Sequence, residues 1–385
     1  MRRAVIMKKG PIKKLSLRKV VGKKPINKIA AIKKLAPKRR QKNVVGRTPI
    51  LERLKNNPII SPNSVHSWES KATFNPGAFY NDGKVHLIYR AIGDNDVSVL
   101  GYASSENGVD IDERLMYPVY FKGKYAVENS VAFKIPYSSG GGWNGGYEDP
   151  RLTLIDNNVY LIYTAFDGWG SLRMAMTKIS LSDFLRKRWN WGTPVYISRP
   201  GEINKNWVLF PEKVNGKFAI LHSINPKIAI DYFESLDELG RDKYIDSSYG
   251  SIGEKTKTEE RWDDWVRGAG PPPIRTKYGW LLLYHAMSSG DPNRYKLGAM
   301  TLDIKDPTRI LYRSKYPLLE PDKFYENDGF KAGVVYSCGA VVMDGQLFVY
   351  YGGADTVTAV AVADLNNFLE ELIKDKVPTL RRVKK

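Results

Sequence analysis

Two neighbouring carboxylates and a guanidinium meet in the run Glu148-Asp149-Pro150-Arg151. A carboxylic acid can pass a proton to a reacting group if burial or acidic company keeps it protonated near neutral pH. Strand neighbours point to opposite faces, so Glu148 is expected to face away from Asp149 and to give it no help. Asn75, Arg90, Lys213, His222, the segment 268–273 and the pair Asn327-Asp328 stand at comparable places beside short turns. If the fold gathers them, an acid, several cations and polar hydrogen-bonding groups share one cavity. The 23 Tyr and 9 Trp suit a β-rich domain with a cleft for carbohydrate. Four scattered His and one Cys show no metal-ligand spacing, so no metal is expected. The single Cys338 excludes an internal disulfide, fits a reducing compartment and reads as a small buried apolar residue.

The elements that must position these groups are β-hairpins. Asn81-Asp82-Gly83, Asp156-Asn157-Asn158, Asn215-Gly216, Lys277-Tyr278-Gly279 and Asp344-Gly345 each separate two β-rich runs. Asx-Gly in such a place is the strongest short-range hairpin signal. A further strand of small and apolar residues follows each hairpin, as in 99–104, 172–177, 228–232, 297–302 and 358–363. The turns recur at roughly 58 to 74 residues, room for about four strands. Five such repeats predict an all-β fold, a five-bladed β-propeller over about 57–385, closed radially to protect its sheet edges. An open β-sandwich is the alternative, which the fivefold recurrence disfavours. A helix over Asn366–Lys376 is expected to pack Phe368, Leu369 and Leu372 on the outside.

The net charge of +19 belongs to one end. Residues 1–50 hold eighteen Lys or Arg and no acid, leaving +1 for the rest. Residues 1–48 therefore read as a basic flexible tail, solvated first and a weak polyanion contact or an address second. No apolar run reaches the ~18 residues of a membrane span. The apolar stretch near the N-terminus is too short for a secretory signal, which predicts a cytoplasmic protein. Oligomeric state stays open, a homo-oligomer included.

Several segments together resemble glycoside hydrolase family 130. They are Asn75-Pro76-Gly77-Ala78, Tyr147-Glu148-Asp149-Pro150-Arg151, Leu209-Phe210-Pro211-Glu212-Lys213 with Leu221-His222, 268–274 with Leu283-Tyr284-His285, and 335–339 with Tyr351-Gly352-Gly353-Ala354-Asp355. The resemblance covers about residues 57–370 and leaves the tail outside. It implies a five-bladed propeller and a β-mannoside phosphorylase or mannosidase, with Asp149 as the general acid. In that scheme Asp149 protonates the leaving oxygen through the mannosyl 3-hydroxyl while inorganic phosphate attacks the opposite face, giving α-mannose 1-phosphate. Phosphate arrives anionic, so a cationic cradle replaces the second carboxylate of an inverting hydrolase. The phosphate ligands implied are Arg90, Arg151, Arg173, Lys213 and His222. Asn75, Asp263, Tyr284, His285 and Asp328 are implied for the sugar. The partners are a mannooligosaccharide, β-1,2- or β-1,4-linked, and phosphate as co-substrate, with no other cofactor. Trp169, Trp207, Trp265 and Tyr284 are candidate stacking surfaces. A hydrolase would need a second carboxylate such as Asp264 or Asp328; a non-catalytic glycan-binding propeller is the third reading. Family phosphorylases often carry His-Arg where this chain has His222-Ser223, and here a cation, Arg267, stands directly before Gly268.

Overall fold

The hairpin turns form where Asx and Gly permit a left-handed backbone. Asp82, Asp156, Asn215 and Asp344 have φ of 47, 52, 50 and 51°, and Gly83, Gly216 and Gly345 follow at 77, 84 and 75°. The protein is represented by a computed structural model that describes residues 51–121, 142–168, 171–240, 243–247 and 261–374. The basic tail and Trp169 lie outside the described residues, all within a chain whose Thr48–Lys385 stretch makes one compact unit.

A two-residue strand, β1 (Glu52–Arg53), precedes five antiparallel groups. The first holds β2 (Ala72–Asn81), β3 (Lys84–Ile92), β4 (Ser98–Ser105) and β5 (Glu113–Arg114). The second holds β6 (Gly146–Ile155), β7 (Asn158–Phe166) and β8 (Leu172–Ser180), then helix α1 (Leu181–Leu185) and β9 (Val195–Tyr196). The third is β10 (Val208–Leu209), β11 (Phe218–Ser223) and β12 (Ala229–Phe233). The fourth is β13 (Trp265–Ala269), β14 (Ile274–Thr276), β15 (Gly279–Ser288), β16 (Asp291–Leu302) and β17 (Ile310–Arg313). Helix α2 (Phe324–Asn327) leads to the fifth: β18 (Val335–Met343), β19 (Gln346–Gly353) and β20 (Val357–Asp364). One parallel pairing, Ser98 with Gly146, joins the first two groups, so hydrogen bonding makes four sheets rather than five.

The core lies in the seams between consecutive groups. Ile88 and Leu100 pack with Leu152 and Leu161 between the first and second. Ile162 and Met174 meet Leu209 and Ile220 between the second and third. Val208 and Leu221 meet Leu282 and Met300 between the third and fourth. Leu283 and Leu297 meet Val335 and Val349 between the fourth and fifth. Val341 and Tyr350 of the fifth return to Leu87 and Tyr89 of the first. Each fully buried aliphatic or aromatic side chain contributes roughly 1.5–3 kcal/mol, so the seams are what hold the groups together.

Strand β1 ties the two ends of this unit, because Glu52 and Arg53 pair with Val362 and Ala361 of β20. The Arg53 guanidinium donates to both oxygens of buried Glu326 at 2.6 and 3.0 Å. The sheet thus begins upstream of residue 57. Helix α3 (Leu365–Leu372) is capped by Asp364, which accepts from the Asn367 N–H, and it buries Phe368, Leu369 and Leu372. The expected helix is present, shorter at its C-terminal end.

Asp263 and Tyr284, implied for the sugar, lie in a buried cluster in the structure. Asp263 is fully buried and accepts from Arg261 Nε at 3.0 Å, Tyr284 Oη at 2.6 Å and Arg313 Nη2 at 2.5 Å. Tyr284, also fully buried, spends its hydroxyl inside this network. The cluster ties the approach to β13 to β17. Asp263→Ala strands two guanidinium groups in the interior, so unfolding free energy in urea should fall by about 3–5 kcal/mol.

His86 gives a second test. Its Nδ1 meets the Tyr102 hydroxyl at 2.9 Å, and its ring packs on Phe79 and Phe184. Burial lowers its pKa to about 4, with Lys84 adding to the effect. The unfolded chain takes up a proton near pH 6.5 and the folded chain does not until near pH 4. Stability from this group is therefore present above 6.5 and lost as pH falls toward 4, by about 1.4 kcal/mol per unit. His86→Phe should flatten stability against pH between 6 and 5, measured by denaturant titration.

Candidate active site

Each group interrupts its ladder with one extra residue, in four of them on the strand preceding the middle strand. In β2 the register with β3 slips between Phe74 and Gly77, and in β6 the register with β7 slips between Glu148 and Arg151. In β13 it slips between Val266 and Gly268, and in β18 between Ser337 and Gly339. The third group has its slip on β11, between Leu221 and Ser223. A bulge bends a strand and re-aims the side chain it carries. The residues so singled out are Asn75, Asp149, His222, Arg267 and Cys338. Asn75 and Asp149 both adopt left-handed backbones, φ 49 and 51°, directly before prolines. Asn and Asp tolerate that region better than other side chains bearing a Cβ.

Asp149 is 2 % exposed, and its Oδ1 accepts from Asn75 Nδ2 at 2.8 Å. Arg90 Nη1 stands 3.5 Å from Oδ1 and Lys205 Nζ 3.6 Å from Oδ2. The same two cations reach Glu148 at 2.9 and 3.1 Å. Glu148 therefore shares its partners with Asp149, against the expectation that it faces away. The bulge breaks the alternation on which that expectation rested. Glu148 takes the shorter contacts from both cations, while Asp149 keeps the neutral carboxamide of Asn75.

Arg151 acts as a strut. It is buried and donates to Asp149 O at 3.0 Å, Gly270 O at 2.9 Å and Asn206 Oδ1 at 2.9 Å. Tyr336 Oη also donates to Asn206 Oδ1, and Asn206 Nδ2 donates to Arg267 O at 2.9 Å. His285, expected beside sugar, is fully buried one layer below. Its Nε2 accepts from the Ser337 N–H at 2.9 Å, and its ring stacks on Tyr336 with centroids 4.0 Å apart. Burial and then Arg151 push its pKa well down, so it packs as a neutral ring.

Beside this cluster lies a small, partly open pocket, whose lining includes Lys205, Asn206, His222, Asn225 and Arg267. Lys205 belongs to both, lining the cavity while its ammonium touches Glu148 and Asp149. Burial, reinforced by Arg90 and Lys331, holds its pKa well below the usual lysine value. His222 packs edge-on against Trp207, its Nε2 is 3.9 Å from Asp231, and its Nδ1 is buried without a hydrogen-bond partner. Burial lowers its pKa. Asp355 is buried too, and burial raises its pKa although Lys331 and Arg90 oppose the shift.

The structure does not bring every expected residue here. Lys213 is exposed on the turn before Asn215, with its Nζ over the Phe218 ring at 4.8 Å; the lysine at Asp149 is Lys205. Arg173 donates to the Ser198 carbonyl and lies between the Tyr196 and Tyr244 rings. Asp328 is exposed at the end of α2, and the loop after it reaches the site through the Lys331 N–H, which donates to Ala354 O at 3.0 Å. Asp264 is occupied by the Ser289 N–H at 2.7 Å. Trp207 is core, while half-buried Trp265 carries the Arg267 guanidinium on its face. Lys205 was missed because it sits in irregular chain before β10, where periodicity says nothing. Asp355 was visible only as the end of Gly352-Gly353-Ala354-Asp355.

The family described as β-1,4-mannooligosaccharide phosphorylase, glycoside hydrolase family 130, matches residues 38–374. A 1,2-β-oligomannan phosphorylase of Thermoanaerobacter sp. (strain X514) is 37% identical over 327 residues, 82% of this chain and 98% of that protein. A β-1,2-mannobiose phosphorylase of the same organism is 38% identical over 330 residues, covering 82% and 97%. The solved β-1,2-mannobiose phosphorylase of Listeria innocua, in complex with β-1,2-mannobiose, shares the fold. Its TM-score is 0.62 at 24% identity, over 84% of this chain and 99% of that one.

The support beneath Asp149 can be tested from behind. A Cβ at Gly352 would fall on the Asn75 carboxamide oxygen and lie 2.9 Å from the Asn75 amide nitrogen. Gly352→Ala must therefore displace the residue that holds Asp149. A misplacement of about 1 Å can cost ~100-fold, so kcat should drop by at least tenfold while circular dichroism stays that of the parent.

Proposed function

The chain belongs to glycoside hydrolase family 130, and from that premise we propose an inverting phosphorylase of β-mannosides that prefers β-1,2 linkages. The observation that carries the reading is the Asp149 carboxyl held by Asn75, with Lys205 joining it to an adjoining pocket that Arg267 and His222 also line. The two relatives at 37 and 38% identity, both named for β-1,2 substrates, favour that linkage over β-1,4. The five antiparallel groups, with seams that return from the fifth to the first, read as five propeller blades whose bulges face a common mouth. Residues 1–48 then form a basic appendage to a catalytic body, and the free thiol of Cys338 suits the cytoplasm.

In the reaction, Asp149 gives its proton to the glycosidic oxygen, relayed by the mannosyl 3-hydroxyl, as the bond from that oxygen to the anomeric carbon breaks. A phosphate oxygen forms the new bond from the opposite face, and the product is α-mannose 1-phosphate. Glu148 takes the shorter contacts of Arg90 and Lys205 beside Asp149. Lys205 and His222, with Arg90 behind, face the incoming anion, while Arg151 fixes the Asp149 backbone. Asp355 accepts hydrogen bonds from sugar hydroxyls. A hydrolase would need a base carboxylate across the ring; of the two candidates for that task, Asp264 accepts from the Ser289 N–H and Asp328 is exposed at the end of α2.

The deciding assay offers β-1,2-mannobiose with and without phosphate. Phosphate-dependent release of mannose 1-phosphate is expected, with Asp149→Asn slower by about 10²–10⁴-fold. Equal release of free mannose without phosphate would make the protein a hydrolase. Turnover in neither condition would leave a glycan-binding propeller.

A further inference from the structure

Arg267 differs from the other arginines around the site. Arg90 pairs with Glu148, Arg261 and Arg313 pair with Asp263, and Arg53 pairs with Glu326. Arg151 spends its fork on the Asp149 and Gly270 carbonyls and the Asn206 side chain, and Arg173 on the Ser198 carbonyl. Arg267 faces no carboxylate within ion-pair distance among the described residues, and its Nη1 is buried with no hydrogen-bond partner. Arg267 is half-buried, and its unpartnered Nη1 leaves a donor that an incoming anion would satisfy.

Its position is also fixed with care. Arg267 is the inserted residue of the fourth group's bulge, the counterpart of Asn75 and Asp149 in the first two, while His222 sits at a slip on the middle strand of the third. The guanidinium lies over the Trp265 ring at 4.7 Å and the Tyr295 ring at 5.8 Å, and Nε donates to Tyr295 Oη at 3.1 Å. These contacts set the plane of the fork. Its carbonyl accepts from Asn206, whose other end accepts from Arg151, which in turn grips the Asp149 carbonyl. Gly268, at φ 128°, lets the chain press against Asn206, where a Cβ would come within 2.7 Å. The spacing between the proton donor and this cation is thus built into the scaffold.

We infer that Arg267 binds the phosphate co-substrate in the cavity it shares with Lys205 and His222, and that it makes the site choose phosphate over water. This rests on the phosphorylase reading above. A planar fork holds two phosphate oxygens at once and orients the third toward the anomeric carbon, whereas neutral water gains little from it. Lys205 and His222 offer point contacts and no such geometry.

The test uses the full chain with β-1,2-mannobiose and inorganic phosphate. Loss of a hydrogen bond to a charged group corresponds to roughly a 10- to 100-fold change. Arg267→Ala should therefore raise the phosphate KM about 10- to 100-fold and leave the mannobiose KM within about twofold. In synthesis the KM for mannose 1-phosphate should rise and that for the acceptor mannose should not. Arg267→Lys keeps the charge and loses the fork, so its phosphate KM should fall between the two. Phosphate should raise the melting temperature of the parent protein and not of Arg267→Ala. A phosphate KM within twofold of the parent in both variants overturns the inference, and Arg267→Lys alone decides it if the alanine variant fails to fold. Phosphate-independent turnover by the parent protein would instead overturn the phosphorylase reading itself.

Discussion

The bulge at Glu148–Arg151 is the constraint on which the rest of the site depends. In a regular strand Glu148 and Asp149 would point to opposite faces and never meet the same cation. One extra residue and a left-handed backbone at Asp149 turn both carboxylates toward Arg90 and Lys205. Such a backbone, directly before a proline, costs of order 1–3 kcal/mol and persists only where its surroundings demand it. Here the demand is visible. Arg151 holds the Asp149 carbonyl, Asn75 holds its carboxyl, and Gly352 leaves room for Asn75.

That device recurs, and its recurrence explains how a repetitive fold acquires a non-repetitive site. Each group contributes a bulge, but the residue in it differs: amide, carboxylic acid, imidazole, guanidinium and thiol. The hydrophobic seams need only small and apolar residues on the strand faces, so they place no demand on the inserted positions. Packing and chemistry are thereby carried by different residues of the same strands.

The cations divide along similar lines. Arg313 and Arg261 exist to satisfy Asp263, and Arg53 exists to satisfy Glu326 where the first and last strands join. Arg151 is a truss between the second and fourth groups. Lys205 sits between the two kinds, compensating Glu148 while lining open space. Its depressed pKa has the same origin as its usefulness, since a cation crowded by Arg90 and Lys331 in a buried place gains most from an arriving anion.

Short-range features were legible in the sequence because their causes are local. Asx-Gly pairs predict turns through backbone sterics, and Phe368, Leu369 and Leu372 predict the buried face of α3 through helical spacing. Asp149 stood out by its neighbours, and the motif order pointed to the family. What tertiary structure alone decided was which polar groups share a cavity. Lys213 looked equivalent to the other hairpin-opening residues, yet it lies exposed on its turn, while Lys205, in patternless chain, reaches the acid. Asp263, Tyr284 and His285 read as ligands, and the tertiary structure buries all three. Glu148 was assigned to the wrong face because a bulge is invisible to a period of two. Residue type and spacing determine the elements; the register slips that aim a side chain depend on contacts between residues far apart in the chain.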